Sequence, residues 1–449
     1  MIKREWLVLV AVVTATLIVS LGLIRWFAPQ LLGIPVDLQS VRVGKTLPPF
    51  FEGVFRREDF ATSEMILSDP YTRVRNRPLL PESFGIGPHD ILGFRNYDVP
   101  NVADVVTIGD SQTYGNNVAL EENWPSRLEA ALNPRRSRVY SMAVGGWSAV
   151  QYMDMFTNAT LFQPRVVVVA FYTGNDSLEA FKMAYSVDRW KGLRLDPDLT
   201  GGDLPKSPGF PPPDSELWEA TRNGGDKITF SPSLRLISND TSHPAAKAGY
   251  DIIAEAARQI SRTAAPVRLP LLYTIIPTKE LVYSRRIRAE DIESPPVYES
   301  LIELEGKNID WLRESFSTLD NVQYVDVVTP LQEAAMTDHT LYPPNMNGHP
   351  LAPGYRVIGE AIAAAARTFL PSQPPRGLVA TQVGEKQFLL YLVNEEGRWL
   401  FASSELAALN GWDLDNMPVV PRRDLARVPV RGTVVTVDPE RFGPGRSRQ

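Results

Sequence analysis

Residues 166–171 read Val-Val-Val-Val-Ala-Phe, a run without a single polar side chain. A strand with one face in water alternates apolar and polar residues; an unbroken apolar run is what a strand covered on both faces requires. The neighbouring chain repeats the theme. Val105–Ile108 is another buried strand, after which Trp124, Leu128 and Leu132 recur at helical spacing. Arg138–Met142 is a strand followed by a helical stretch over 148–161. Further on, Ile253, Ala256 and Ile260 mark a helix, Leu271–Ile276 a strand, Leu301–Phe316 a helix and Tyr324–Val328 a strand. Ile358, Ile362, Ala365 and Phe369 give a closing helix. Strands alternating with helices make a parallel sheet flanked by helices. The expectation is a doubly wound α/β domain of about five strands over residues 85–372.

Three regions fall outside that rhythm. Residues 186–245 contain Gly201–Pro213, GGDLPKSPGFPPP, too rich in Pro and Gly for regular structure, and read as an insertion over one edge of the sheet, a surface loop or a lid. After Pro374-Pro375 the pattern becomes β-rich: Phe388–Val393 and Arg398–Ala402 flank Asn394-Glu395-Glu396-Gly397 as a hairpin would, and Val428–Val437 adds strand-like alternation. Residues 377–449 are therefore expected to form a small β-rich appendage. At the other end, Trp6–Ile24 is a run of nineteen residues without a charge. At about 1.5 Å rise per residue it spans roughly a 30 Å hydrocarbon core, and it exceeds the apolar region of a cleaved signal peptide. Residues 1–30 read as a transmembrane anchor, 31–84 as a linker, and the remainder as lying outside the cytoplasm, on the periplasmic side of an inner membrane.

Composition narrows the chemistry. With 46 Lys+Arg against 52 Asp+Glu, the formal charge is -6, which argues against a nucleic-acid partner. The chain has no cysteine, hence no disulfide and no thiolate nucleophile. Its four histidines, His89, His243, His339 and His349, are dispersed, so no metal site is expected, and no motif calls for a cofactor.

In a doubly wound sheet, ligands bind beyond the carboxyl ends of the strands. Three loops fall there. Gly109-Asp110-Ser111-Gln112 follows the first strand, Gly145-Gly146-Trp147 the second, and Tyr172-Thr173-Gly174-Asn175-Asp176 the third. A serine in a Gly-flanked turn is exposed to substrate. Glycine lets backbone N–H groups approach an oxyanion, and an Asn side chain supplies a further donor. The base for such a serine comes from the loop before the closing helix, where His349 stands in Asn347-Gly348-His349-Pro350, with His339 ten residues upstream as its competitor. Asp110 and Asp176 fit a role in capping turns. Tyr114, Trp147 and Tyr172 line a pocket or belong to the core.

These residues resemble the SGNH hydrolase superfamily, the GDSL-type esterases, over about residues 90–370. The family's four blocks match Ser111, Gly146, Asn175 and His349 in order, and Gly93-Phe94-Arg95-Asn96 and Pro277-Thr278-Lys279-Glu280 resemble a membrane-anchored bacterial branch. The resemblance implies a flavodoxin-like sheet, Ser111 as nucleophile, His349 as base, and an oxyanion hole of the Ser111 N–H, the Gly146 N–H and the Asn175 amide. It also implies an ester substrate, a small molecule or an envelope glycan from which an acyl group such as acetyl is removed. The family commonly carries an aspartate two or three residues before the histidine; here those positions are Asn347 and Met346. Three outcomes are open: Asp338 as third member, a Ser–His dyad oriented by a carbonyl, or a weakened site. Acyl transfer to a glycan hydroxyl and a non-catalytic envelope binding protein are the rival functions.

Overall fold

The computed structural model describes residues 65–82, 86–100, 102–132, 137–337, 340–370, 376–384, 387–394, 396–415, 417–420, 424–425 and 428–444. The chain divides into two units, Met1–Pro70 and Tyr71–Gln449. Of the first, the described part holds one short strand, β1 (Ile66–Asp69). The expected anchor, Trp6–Ile24, lies outside the described residues. Among those that are described, no helix is long and apolar enough to cross a membrane.

The second unit opens with β2 (Arg73–Asn76) and then builds a five-stranded sheet. Its strands are β3 (Val105–Gly109), β4 (Val139–Ala143), β5 (Val166–Tyr172), β8 (Leu271–Ile276) and β9 (Val322–Val325), with β6 (Trp218–Thr221) and β7 (Lys227–Phe230) forming a separate hairpin between them. The spatial order is β4-β3-β5-β8-β9, and every neighbouring pair is parallel. Register runs Val139↔Val105↔Val166 on one side and Val167↔Leu271↔Val322 on the other. In order of succession the strands read 2-1-3-4-5, the flavodoxin-like arrangement, whose switch point lies between β3 and β5. All residues of β3, β4, β5 and β8 are buried, as their composition requires.

The helices accompanying this sheet are α1 (Ser111–Tyr114), α2 (Trp124–Leu132), α3 (Ala149–Thr160), α4 (Asp176–Ser186), α5 (Pro232–Asn239), α6 (Pro244–Ala264), α7 (Lys279–Ala289), α8 (Pro296–Ser317), α9 (Val328–Ala335) and α10 (Ala352–Ala366). Helix α2 packs on α10, and α3 and α4 both pack on α6.

The Pro/Gly-rich stretch of the insertion lacks helix and strand, as its composition requires; β6, β7 and α5 follow it, with Trp218 of β6 stacked on Phe230 of β7 (5.3 Å). The strand expected to run to Val328 stops at Val325, because Asp326 Oδ1 accepts from the N–H groups of Val328 (2.9 Å) and Thr329 (3.3 Å) and starts α9 there.

The appendage contains β10 (Gly377–Gly384), β11 (Gln387–Asn394), β12 (Gly397–Phe401), α11 (Ser404–Leu409), β13 (Val430–Val434) and α12 (Pro439–Phe442). Its sheet runs β10-β11-β12-β13, and its apolar clusters, one around Leu378, Leu392 and Phe401 and one around Val379, Val393 and Leu425, are separate from the main core. Arg165 bridges the two parts, paired with Asp104 at 3.3 Å and with Asp424.

Candidate active site

Strand β3 ends in Gly109, where a Cβ would lie 2.0 Å from Thr113 Oγ1; only glycine lets the chain fold straight back into α1. Asp110 Oδ1 accepts the Gln112 N–H (2.9 Å), and Gly115, at φ +85°, ends the turn. Ser111 thus occupies the first position of a one-turn helix beyond the carboxyl end of the strand. Arg95, fully buried, holds this turn from behind, donating to the carbonyls of Gly87 (2.7 Å), Tyr114 (3.2 Å) and Val118 (2.7 Å).

The turn after β4 brings Gly145 alongside, so that a Cβ on it would lie 3.7 Å from Ser111 Cβ. Gly146 is exposed at φ +79°, with open space where a side chain would be. After β5, Asn175 flanks the start of α4, and its Oδ1 is buried without a partner among the described residues. Asp176 pins this turn by accepting from the Tyr172 N–H (2.9 Å) and the Tyr152 hydroxyl (3.1 Å). Burial pushes the carboxyls of both Asp110 and Asp176 up from their ordinary range.

His349 arrives from the loop that leads into α10, the helix packed on α2. Its Nε2 lies 2.8 Å from Ser111 Oγ. Asp110 Oδ2, at 3.4 Å, is the weaker competitor for the same hydroxyl proton. The other ring nitrogen, Nδ1, is 2.8 Å from Asn347 Oδ1, which also accepts the His349 backbone N–H (3.0 Å). Asn347 is held in turn: its Nδ2 donates to Asn117 Oδ1 at 2.9 Å, which turns the amide oxygen toward the imidazole. An oxygen facing Nδ1 keeps the proton there and leaves the Nε2 lone pair for the serine. Asn116 Nδ2 stands 3.5 Å from His349 Nε2. Burial, and after it the charge of Arg235, pushes the imidazole down to about 4.

The histidine loop is fixed by buried polar contacts. Lys279 Nζ donates to three carbonyls, those of Thr229 (3.0 Å), Pro343 (2.7 Å) and Asn345 (2.6 Å), tying the loop to the hairpin. Gln112 Nε2 reaches Gly348 O at 3.2 Å, and Asn117 Nδ2 reaches His349 O at 3.3 Å.

The structure brings Ser111, His349 and Asn347 into one hydrogen-bonded chain, with Gly146 and Asn175 in the loops that end the flanking strands. Asp338 and His339 lie outside the described residues. The third position is occupied by Asn347, and the loop follows α9 rather than following β9 directly. Of the aromatic residues, Tyr114 and Trp147 are core, not pocket: the Tyr114 hydroxyl bonds His89 Nε2 (2.8 Å), and Trp147 Nε1 donates to Val74 O (2.8 Å). Only Tyr172 abuts the histidine loop, its hydroxyl 3.4 Å from where a Cβ on Gly348 would be. His89 is structural and His243 caps α6. Sequence reasoning missed Asn117, whose signal was its place in the nucleophile loop, and Arg235, which had none. Among the described residues no cluster of His, Asp and Glu is arranged to hold a metal ion.

No family model and no curated protein matches this chain. Among solved structures it is similar to a GDSL-like lipase from Bacteroides thetaiotaomicron VPI-5482 (11% identity, 59% of this chain and 88% of that one, TM-score 0.30). It is also similar to a catalytic mutant of an acetylxylan esterase from Geobacillus stearothermophilus (12% identity, 62% and 99%, TM-score 0.33). A third likeness is to an alpha/beta hydrolase enzyme from the metagenome of Lake Arreo, Spain (14% identity, 61% and 99%, TM-score 0.32).

Proposed function

We propose that this chain is a serine ester hydrolase of the GDSL type, working through Ser111 and His349 with Asn347 as the positioning residue. The observation that carries the reading is the continuous chain Ser111 Oγ···His349 Nε2 (2.8 Å) and His349 Nδ1···Asn347 Oδ1 (2.8 Å) at the carboxyl edge of a parallel sheet. A neutral imidazole with its Nδ1 proton directed at Asn347 takes the Ser111 proton as Oγ attacks an ester carbonyl. Charge on the carbonyl oxygen is met by the Ser111 and Gly146 N–H groups and the Asn175 amide. The imidazolium returns its proton to the leaving alcohol, and water, activated by the same imidazole, releases the acid.

In serine proteases, asparagine at the third position costs about 10⁴ in turnover because the imidazole adopts the wrong tautomer. The Asn117–Asn347 bond acts against that error here. What this site gives up is the negative charge beside the imidazolium, so it is a live enzyme with a weak base, not a binding protein. Acyl groups on carbohydrate or related envelope esters are the proposed substrates, with residues 6–24 as the membrane tether; fractionation of cells expressing the full chain tests the tether by its recovery with membranes. The activity is tested with 4-nitrophenyl acetate and with acetylated xylo-oligosaccharides. Release of acetate that disappears in Ser111→Ala supports the reading, and equal release by that variant overturns it.

A further inference from the structure

Arg235 lies on α5, and its guanidinium forms no hydrogen bond or ion pair among the described residues; Nε is buried without a partner. It is nevertheless held in place. The Tyr172 ring lies 6.0 Å away, and Nη2 stands 3.0 Å from the point a Cβ on Gly348 would occupy. The Tyr172 hydroxyl, also buried and unpartnered, is 3.4 Å from that same point. Gly348 is the residue before His349, so two unused polar groups meet beside the imidazole.

The helix carrying Arg235 is locked to the site. Asn239 Nδ2 donates to Thr173 O (3.1 Å) and to Arg235 O (3.0 Å), and Asn308 Nδ2 donates to Asn239 O (2.9 Å). The carboxylates whose charge Arg235 feels are Glu280, Glu305 and Asp110. None of them forms an ion pair with Arg235 among the described residues: Glu280 Oε1 accepts from Ser231 N (2.9 Å) while its Oε2 is buried without a partner, Glu305 Oε1 accepts from Thr278 N (2.7 Å), and Asp110 Oδ1 from Gln112 N (2.9 Å). A guanidinium offers five N–H donors in a planar fork, a match for a carboxylate, and leaving such a group half buried without an acceptor is costly.

We infer that Arg235 is an anion-recognition residue of the catalytic cleft, and that the ester cleaved there carries a carboxylate, on its alcohol or its acyl part, which the guanidinium grips while Ser111 attacks. This inference rests on the ester-hydrolase reading above. It also gives the missing charge a source. A carboxylate seated on Arg235 offsets the cation beside His349, so that binding the right substrate makes the imidazole a better base.

The test uses the full chain and two matched pairs of esters. One pair is 4-acetoxybenzoate against its methyl ester, with the carboxylate on the alcohol part. The other is 4-nitrophenyl hemisuccinate against 4-nitrophenyl butyrate, with the carboxylate on the acyl part. The wild-type chain is expected to favour the charged member of one pair by about tenfold or more in kcat/KM. Arg235→Gln should lose that ratio and Arg235→Lys retain part of it, which loss of fold alone would not produce. Which pair responds identifies the side bearing the charge. A wild-type ratio at or below one in both pairs overturns the inference while neutral-ester turnover leaves the hydrolase reading standing. If no ester is turned over, the hydrolase reading fails, and calorimetric titration with 4-hydroxybenzoate and succinate then reads the arginine alone: binding weakened tenfold in Arg235→Gln supports it, and equal binding overturns it.

Discussion

At the scale of the residue, the site turns on one amide. Asn347 offers His349 an oxygen but no charge, and Asn117 decides that it is the oxygen that faces the ring. Asn347→Asp restores the charge and is expected to raise kcat at least about tenfold, part of the roughly 10⁴ that separates Asp from Asn in serine proteases. The pH profile supplies its signature. His349 is held near 4, below the ordinary value of 6.5, so the base stays neutral, and kcat/KM stays on its plateau, as pH falls until about 4. The added carboxylate favours the imidazolium, so the acid limb of Asn347→Asp moves to higher pH. Asn117→Ala removes the lock on the amide and should lower kcat without moving KM. Asn175→Ala removes the proposed oxyanion donor and should cost about 10²–10³ in kcat. Ser111 and His349 were legible in the sequence because the strand preceding one and the helix following the other fix where they emerge. The sense of Asn347 was not: its partner Asn117 stands 230 positions earlier, and without it the asparagine reads as a defect.

At the scale of the element, the strands announced themselves because burial on both faces leaves no room for polar residues in β5 or β8. The same logic hid α5. It lies in the insertion downstream of the Pro/Gly-rich Gly201–Pro213, and what orders it is tertiary: Asn239 bonded to the β5 loop and Asn308 bonded to Asn239. The motif Pro277-Thr278-Lys279-Glu280 was visible, but its purpose was not. Lys279 staples the histidine loop to the β7 strand through three carbonyls, with burial pushing its amine down to about 7. Lys279→Met keeps the apolar stem and deletes the three donors. Each buried carbonyl left without a donor costs about 1–3 kcal/mol, so thermal or urea unfolding should report a loss of at least that size. Loosening the loop that positions His349 should also lower kcat more than it raises KM.

At the scale of the whole molecule, the second unit holds a main core and, in the appendage, separate apolar clusters with a different duty. Every group in the proposed chemistry lies between Ser111 and His349 and is supported by the main core, whereas the appendage packs around Leu378, Leu392 and Phe401 on its own account. A chain ending at Leu370 is therefore expected to keep kcat/KM within about threefold on a small neutral ester and to lose a separate melting transition in calorimetry; a collapse of turnover would show that the appendage supports the site. The β-rich character of that region was readable from the hairpin at Asn394–Gly397, but β10 and its pairing with β11 were not, since Gly377–Gly384 has too little alternation to announce a strand. The most direct test of the central claim, that the Ser111 hydroxyl is activated by His349, is fluorophosphonate labelling followed by peptide mass mapping. A single adduct on Ser111 is expected, absent from Ser111→Ala and formed at least about a hundredfold more slowly in His349→Ala. No adduct on Ser111, or labelling at the same rate without the imidazole, would contradict it.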